Sequence, residues 1–172
     1  MIKNFISYNI NMLVVRHSTY DDLNDIENIF VYARQVMKDI GNASQWGDDR
    51  PDIQLVINDI ENNSSYVVLD GDEIVGTFAC IHGIEPTYLD IDGSWLDDDS
   101  YVTIHRIASN GKSNGVFDCA IDFASKFNKD IRIDTHKNNS IMLHLINKSG
   151  FIRCGVIVVD DGTKREAFQK KI

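Results

Sequence analysis

The run from Tyr101 to Gly150, YVTIHRIASNGKSNGVFDCAIDFASKFNKDIRIDTHKNNSIMLHLINKSG, leaves this chain few folds to choose from. Tyr101–Ala108 is rich in β-branched residues and reads as a strand. A polar loop with two glycines, Ser109–Gly115, follows it. Phe117, Ala120, Ile121, Ala124 and Phe127 then recur at spacings of three and four, which predicts an amphipathic helix. Ile131–Thr135 is a second short strand, and Lys137–Ser140 leads from it into another apolar-periodic helix, Ile141–Lys148. Ser149-Gly150 supplies the glycine expected at a left-handed helix C-cap. Strand, loop, helix and strand within about thirty-five residues make a βαβ unit, whose strands pair in parallel through a right-handed crossover.

The loop of that unit is where chemistry is expected. A glycine-containing turn that opens a helix presents free backbone N–H groups and the positive end of the helix dipole, a combination that binds phosphate without a basic side chain. The same residues also suit a plain strand-to-helix turn. A Walker A loop is excluded, because its first glycine would fall on Arg106, and the spacing of a dinucleotide-binding GxGxxG is absent.

The remainder of the chain supplies helices and antiparallel strands. Residues 1–11 read as an extension, and residues 12–172 as a single domain beginning with a strand at Leu13–His17. Thr19 is the expected helix cap, with Asp21 and Asp22 against the dipole. Leu23, Ile26, Ile29, Phe30, Ala33, Val36, Met37 and Ile40 mark the apolar face of a long helix that Gly41 stops. Ala43–Pro51 is a loop carrying Trp46, either a lid on the core or part of a pocket. Asp52–Asn62 is a second helix. Ser65–Leu69 and Glu73–Cys80 are strands joined by Asp70-Gly71-Asp72, a turn that permits positive φ. Ile84–Ser100 gathers five aspartates (Asp90, Asp92, Asp97, Asp98 and Asp99) with Tyr88 and Trp95. It reads as a solvated loop or hairpin, or as an acidic, aromatic rim that draws in an ammonium group by charge and cation–π contact. Tyr88 stands where a calcium loop needs an acid, so an EF-hand is excluded. Phe151–Val159 and a final strand near Lys164–Phe168 close the chain.

Composition narrows the function further. At 172 residues, with 43% apolar and 25% charged residues, the chain suits one soluble domain. A net charge of −9 argues against nucleic acid as a partner, and no apolar run is long enough to span a membrane. Cys80, Cys119 and Cys154 are widely spaced and odd in number, which fits a reducing cytoplasm. The five histidines (His17, His82, His105, His136 and His144) lack metal-ligand spacing, so no metal is expected.

Three features in order resemble the acyl-CoA-binding core of the GCN5-related N-acetyltransferase (GNAT) superfamily. IHRIAS resembles its central strand. Lys112-Ser113-Asn114-Gly115-Val116-Phe117 stands where the family has Arg/Gln-x-x-Gly-x-Gly/Ala. Asn139, with Gly150-Phe151 eleven residues on, matches the family's Asn…Gly-Phe pattern. IRIDTHKNN, the IMLHL helix and GFIRCG are similar to an uncharacterised bacterial branch of the superfamily. The chain departs from the pattern at Phe117, in place of a small residue, and at Ile146, where many members carry a tyrosine general acid.

The resemblance implies an α+β fold: a mixed sheet of about six or seven strands with an antiparallel N-terminal meander, a parallel βαβ acyl-CoA unit and about four helices. It implies that Ile107, Ala108 and Ser109 offer backbone groups to the pantetheine arm of acetyl-CoA. The amides of Lys112, Ser113, Asn114, Gly115, Val116 and Phe117 would hold its pyrophosphate, and Asn139 would bond near the pantetheine. The expected reaction is direct acetyl transfer to a primary amine, on a small molecule or a peptide, in a cytoplasmic protein for which a homodimer is common in the family. His105 has the intrinsic pKa of a general base, with His136 and Asp134 as further candidates. Trp46, Tyr88 and Trp95 are candidate acceptor contacts. The competing readings are a non-catalytic acyl-CoA-binding domain of the same fold and a cofactor-free interaction domain.

Overall fold

The computed structural model describes residues 12–172, so the expected extension over residues 1–11 lies outside the described residues. In chain order the strands are β1 (Val14–His17), β2 (Ser65–Asp70), β3 (Glu73–His82), β4 (Ile91–Gly93), β5 (Val102–Ser109), β6 (Asp130–Thr135), β7 (Ile152–Val158) and β8 (Lys164–Lys171). They form one sheet in the order β1-β2-β3-β5-β6-β8-β7-β4. The α-helices are α1 (Leu23–Asp39), α2 (Ile53–Glu61), α3 (Val116–Ala124) and α4 (Ser140–Lys148). This is a mixed α+β fold with an antiparallel meander at one side and the parallel pair β5–β6 within it.

Most elements form where local chemistry dictates. Gly71 takes φ +61 in the tight turn between β2 and β3. Asp52 caps α2 by accepting from the backbone N–H groups of Gln54 and Leu55, at 2.6 and 3.1 Å. α4 begins with Asn139, whose side-chain oxygen accepts from Met142 N at 3.1 Å, and is followed by Gly150 at φ +78.

Two expectations are corrected. The aspartate-rich segment contributes an eighth strand, because Ile91↔Ile157 to Gly93↔Gly155 pair β4 with the edge of β7. A side chain at Gly93 or Gly155 would strike the facing backbone, so the two glycines let these strands approach. The first helix does start at Thr19, in a capping box with Asp22, whose Oδ2 accepts from the Thr19 N–H at 2.8 Å and from its hydroxyl at 3.1 Å. Arg16 completes this site and holds the Asp22 carboxyl below its ordinary value. Finally, α3 ends at Ala124, and Phe127 is exposed beyond it, edge-on to His82.

The sheet carries a core on each face. α3 and α4 cover one face, where Val102, Ile104, Ile131, Ile133 and Phe168 meet Ala120, Ile121, Ala124 and Ile146. α1 and α2 cover the other, packing Ile26, Ile29, Phe30 and Val56 against Val67 and Ala108. Alternation along β5 therefore points His105 away from Val102 and Ile104, toward the second face. The three cysteines are free, and burial pushes the Cys80 thiol up to about 12.

Candidate acyl-transfer site

The site arises from a defect in the sheet. β5 pairs with β3 along its length, and β6 with β8 along its length, but β5 and β6 share two register pairs only, Val102↔Ile131 and Thr103↔Arg132. Beyond Thr103 the two strands part. A β-bulge lies at the point of parting: Thr77 faces Ala108 while Ala79 faces His105, so one residue of β3 opposes two of β5. Arg106 takes φ +54 in this bulge and bonds Asp59 of α2 through Nε and a terminal nitrogen, at 2.9 and 2.6 Å. Burial raises the Asp59 carboxyl above its ordinary value, against the pull of Arg106.

The gap opens into a cleft of two lobes, about 270 and 230 Å³, that share Met37, Ile107, Asn139 and Met142. The first lobe is mostly apolar. Ile107, Ala108 and Ser109 of β5, Val36 and Ile40 of α1, and Met142 and Leu145 of α4 form its walls. At its end stands the turn into α3, where Gly115 takes φ +88 and the helix N-terminus begins. A side chain at Gly115 would meet only Leu13, at 3.9 Å, so the turn is open to a ligand. Of the expected cofactor residues, Ile107, Ala108, Ser109, Val116, Phe117 and Asn139 line this lobe, while Lys112, Ser113, Asn114 and Gly115 do not.

The loop side chains are engaged elsewhere. Lys112 is paired with Glu73, Ser113 donates to Asp70 Oδ2 at 2.6 Å, and the Lys112 N–H donates to Asn110 Oδ1 at 3.0 Å. With the Lys112 charge answered by Glu73 and its N–H by Asn110, the groups of this turn able to meet an anion are the amides at the start of α3 and the helix dipole. Phe117 does not obstruct them, because its ring is buried beside Phe151. Tyr32 is a residue the sequence reading missed: its hydroxyl lies against Gly111, where any side chain would collide with it. The Asn139 amide donates to Gln45 Oε1 at 3.0 Å, so this residue ties α4 to the α1–α2 loop.

The second lobe holds the titratable groups. His105 Nε2 lies 2.9 Å from Glu85 Oε2, and its Nδ1 lies 3.9 Å from Asp134 Oδ1. Asp134 Oδ1 accepts the Tyr88 hydroxyl at 2.7 Å. Glu85 also accepts from the Thr87 N–H and hydroxyl, at 3.3 and 3.0 Å. The His105 hydrogen bond holds the Glu85 carboxyl down at about 2, despite burial that opposes it. An ionised Glu85 accepts a hydrogen bond from Nε2–H, and Nδ1 faces Asp134. His105 and Asp134 are thus adjacent and line the cleft. Glu85 was not singled out from sequence, where it is one acid of an acidic stretch.

The other candidates are placed differently. His136 accepts from the Asn138 N–H at 3.1 Å, and burial, Arg165 and Lys137 lower its pKa. It stands apart from the His105 group. Trp46 does line the second lobe, edge-on to Phe30 at 5.6 Å between ring centres. Tyr88 and Trp95 are not an acceptor rim. Tyr88 is 2% exposed and packs, tilted by 36°, at 5.0 Å from Trp95, whose indole N–H donates to the Tyr88 carbonyl at 3.0 Å. The cation–π slot is filled from within, by the Arg132 guanidinium 4.3 Å from the Trp95 ring and 3.8 Å from Tyr101. Ile146, where the family's tyrosine would stand, is fully buried in the core. Among the described residues no group of three His, Cys, Asp or Glu could hold a metal ion.

No protein-family model and no curated protein matches the chain. Solved structures do. An acetyltransferase of the GNAT family from Streptococcus agalactiae 2603 is 29% identical, with 93% of this chain and 95% of that one covered at a TM-score of 0.84. A GNAT-family acetyltransferase from Listeria monocytogenes 4b F2365 is 20% identical over 93% of this chain and 95% of that one, at 0.67. The fold is shared also by yncA of Salmonella typhimurium, solved with acetyl-CoA: 14% identity, 92% and 93% coverage, TM-score 0.58.

Proposed function

The chain belongs to the GNAT superfamily, and from that premise we propose that it transfers the acetyl group of acetyl-CoA directly to a primary amine. The observation that carries the reading is the parting of β5 from β6, with an amide-lined helix start at one end and the His105 group at the other. Acetyl-CoA supplies the activated acyl carbon. Backbone groups of Ile107–Ser109 hold the arm that bears it, and the amides at the start of α3 hold the pyrophosphate. A backbone N–H on β5 beyond Thr103 stabilises the charge that develops on the thioester oxygen.

The acceptor enters through the second lobe. His105 Nδ1, directly or through one water, takes the proton from its ammonium group, and Asp134 steadies the imidazolium that results. The free amine then forms the N–C bond as the C–S bond breaks, and the departing thiolate is reprotonated. Trp46 contacts the acceptor from the α1–α2 loop. We place the protein in the cytoplasm, where three unpaired thiols persist.

Two measurements test the reading. Acetyl-CoA or CoA at ~100 times its dissociation constant should stabilise the fold by roughly 2.7 kcal/mol, read as a rise in Tm. Thiol release in the presence of amines should then reveal turnover. The buried Ile146 in place of a tyrosine acid favours a second reading, a silent acyl-CoA binder. A Tm rise with no turnover across amines would select it, and no rise at millimolar ligand would overturn both.

A further inference from the structure

Three arginines line the acceptor lobe. Arg106 is paired with Asp59, and Arg50 lies 3.7 Å from Asp161. Arg165 differs from both. It is 6% exposed and makes no ion pair among the described residues. Its partners are neutral: the Thr163 hydroxyl, the Lys164 carbonyl at 3.2 Å and the Gln45 carbonyl at 3.4 Å. Three bonds from five N–H groups leave part of the guanidinium fork unused. Asp161, the carboxylate that the Arg165 charge helps to hold low, makes its contacts elsewhere: it accepts from the Thr163 N–H at 2.9 Å and from its hydroxyl, and faces Arg50. A buried cation with no carboxylate in contact is costly, and an incoming anion offsets that cost.

Register places this charge beside the reactive groups. β8 pairs with β6 through Ala167↔Asp134 and Glu166↔Thr135, so Arg165 is one step further along and on the same face as Asp134. Adjacent strands lie about 5 Å apart and alternate residues about 7 Å, which sets a distance of the order of a small amino acid's length between the two positions.

We propose that Arg165 is the carboxylate-binding residue of the acceptor site, and that the acceptor is an amino acid, carrying a carboxylate as well as the amine that is acetylated. This rests on the transferase reading above. The amine lies toward His105 and Asp134, and the carboxylate takes the free edge of the Arg165 fork, the pairing for which a planar guanidinium is suited.

The test is a titration of the CoA-saturated protein, followed by calorimetry and by Tm, with the twenty amino acids, their carboxamides and polyamines. Amino acids should bind, and their carboxamides, which keep the amine but lose the carboxylate charge, should bind at least tenfold more weakly. Arg165→Gln should erase that difference while leaving the CoA-induced Tm rise intact, and Arg165→Lys should restore part of it. In turnover, the Arg165→Gln loss should fall mainly on KM. Equal binding of carboxamides or polyamines, no binding of any amino acid, or an Arg165→Gln protein that keeps the preference would each overturn the proposal. A missing CoA response would instead sink the transferase reading itself, so the two failures are distinguishable.

Discussion

On the proposed reading His105 is the residue on which the chemistry turns, and its surroundings make its variants informative. Glu85 fixes one ring nitrogen and Asp134 faces the other. His105→Gln should lower kcat roughly 10²-fold while the Tm rise with CoA is unchanged, since β5 keeps its pairing with β3. Loss of CoA binding in that variant would mean His105 serves the fold. Glu85 makes a pH prediction with a definite sign. Its carboxyl is depressed from 4.5 to about 2, so the folded state binds this proton less readily than the unfolded chain. The stabilisation is complete above the ordinary value and is lost as pH falls through about 2. Tm measured from pH 6 downward should fall more steeply for the native protein than for Glu85→Gln. Single residues were the least legible level of the sequence. His105 was singled out by its intrinsic pKa and strand alternation and Asp134 by its place at the end of the next strand, and the fold sets the two side by side. Glu85 lies 20 residues from its partner and Tyr88 lies 46 from Asp134, and no local pattern records such pairs.

At the scale of elements, the proposed cofactor site rests on the turn into α3. Gly115→Pro forces a φ near −65° where the chain takes +88 and removes an N–H, so it should abolish the CoA response while β2 and β3 stay folded. Gly111→Ala should cost roughly 1–2 kcal/mol for its left-handed φ and also displace Tyr32, a loss readable by chemical denaturation. Unchanged CoA affinity in the Gly115 variant would reassign the loop. Elements were well marked in the sequence where their signals are local: the Asp70-Gly71 turn, the periodicities of α1 to α4, and the glycine after α4. β4 was not, because three residues, one of them an aspartate, carry no strand pattern, and their pairing depends on Gly155, 62 residues beyond Gly93. The aromatic cluster beside it was misread for a related reason. Trp95 does bind a cation, but it is Arg132 of the same chain, held between Trp95 and Tyr101, while Tyr88 packs beside Trp95.

Across the whole molecule, the sheet is two antiparallel blocks, β1-β2-β3-β5 and β6-β8-β7-β4, joined by two register pairs. Bound CoA should therefore slow amide exchange most in residues 104–109 and 133–136, on either side of the gap, and little in the β2–β3 hairpin. Uniform protection would place the ligand elsewhere. The βαβ unit was readable because it is contiguous in sequence. The depth of the gap was not, since it depends on where pairing stops. That narrow hem has a kinetic consequence. On the proposed reading, the part of the ligand that would brace the two blocks, the pantetheine arm, is the same before and after acetyl transfer, so spent CoA should stabilise the closed sheet as well as its acetylated form does. The sheet would then have no means of sensing that the reaction is over, and departure of CoA should be the brake on turnover.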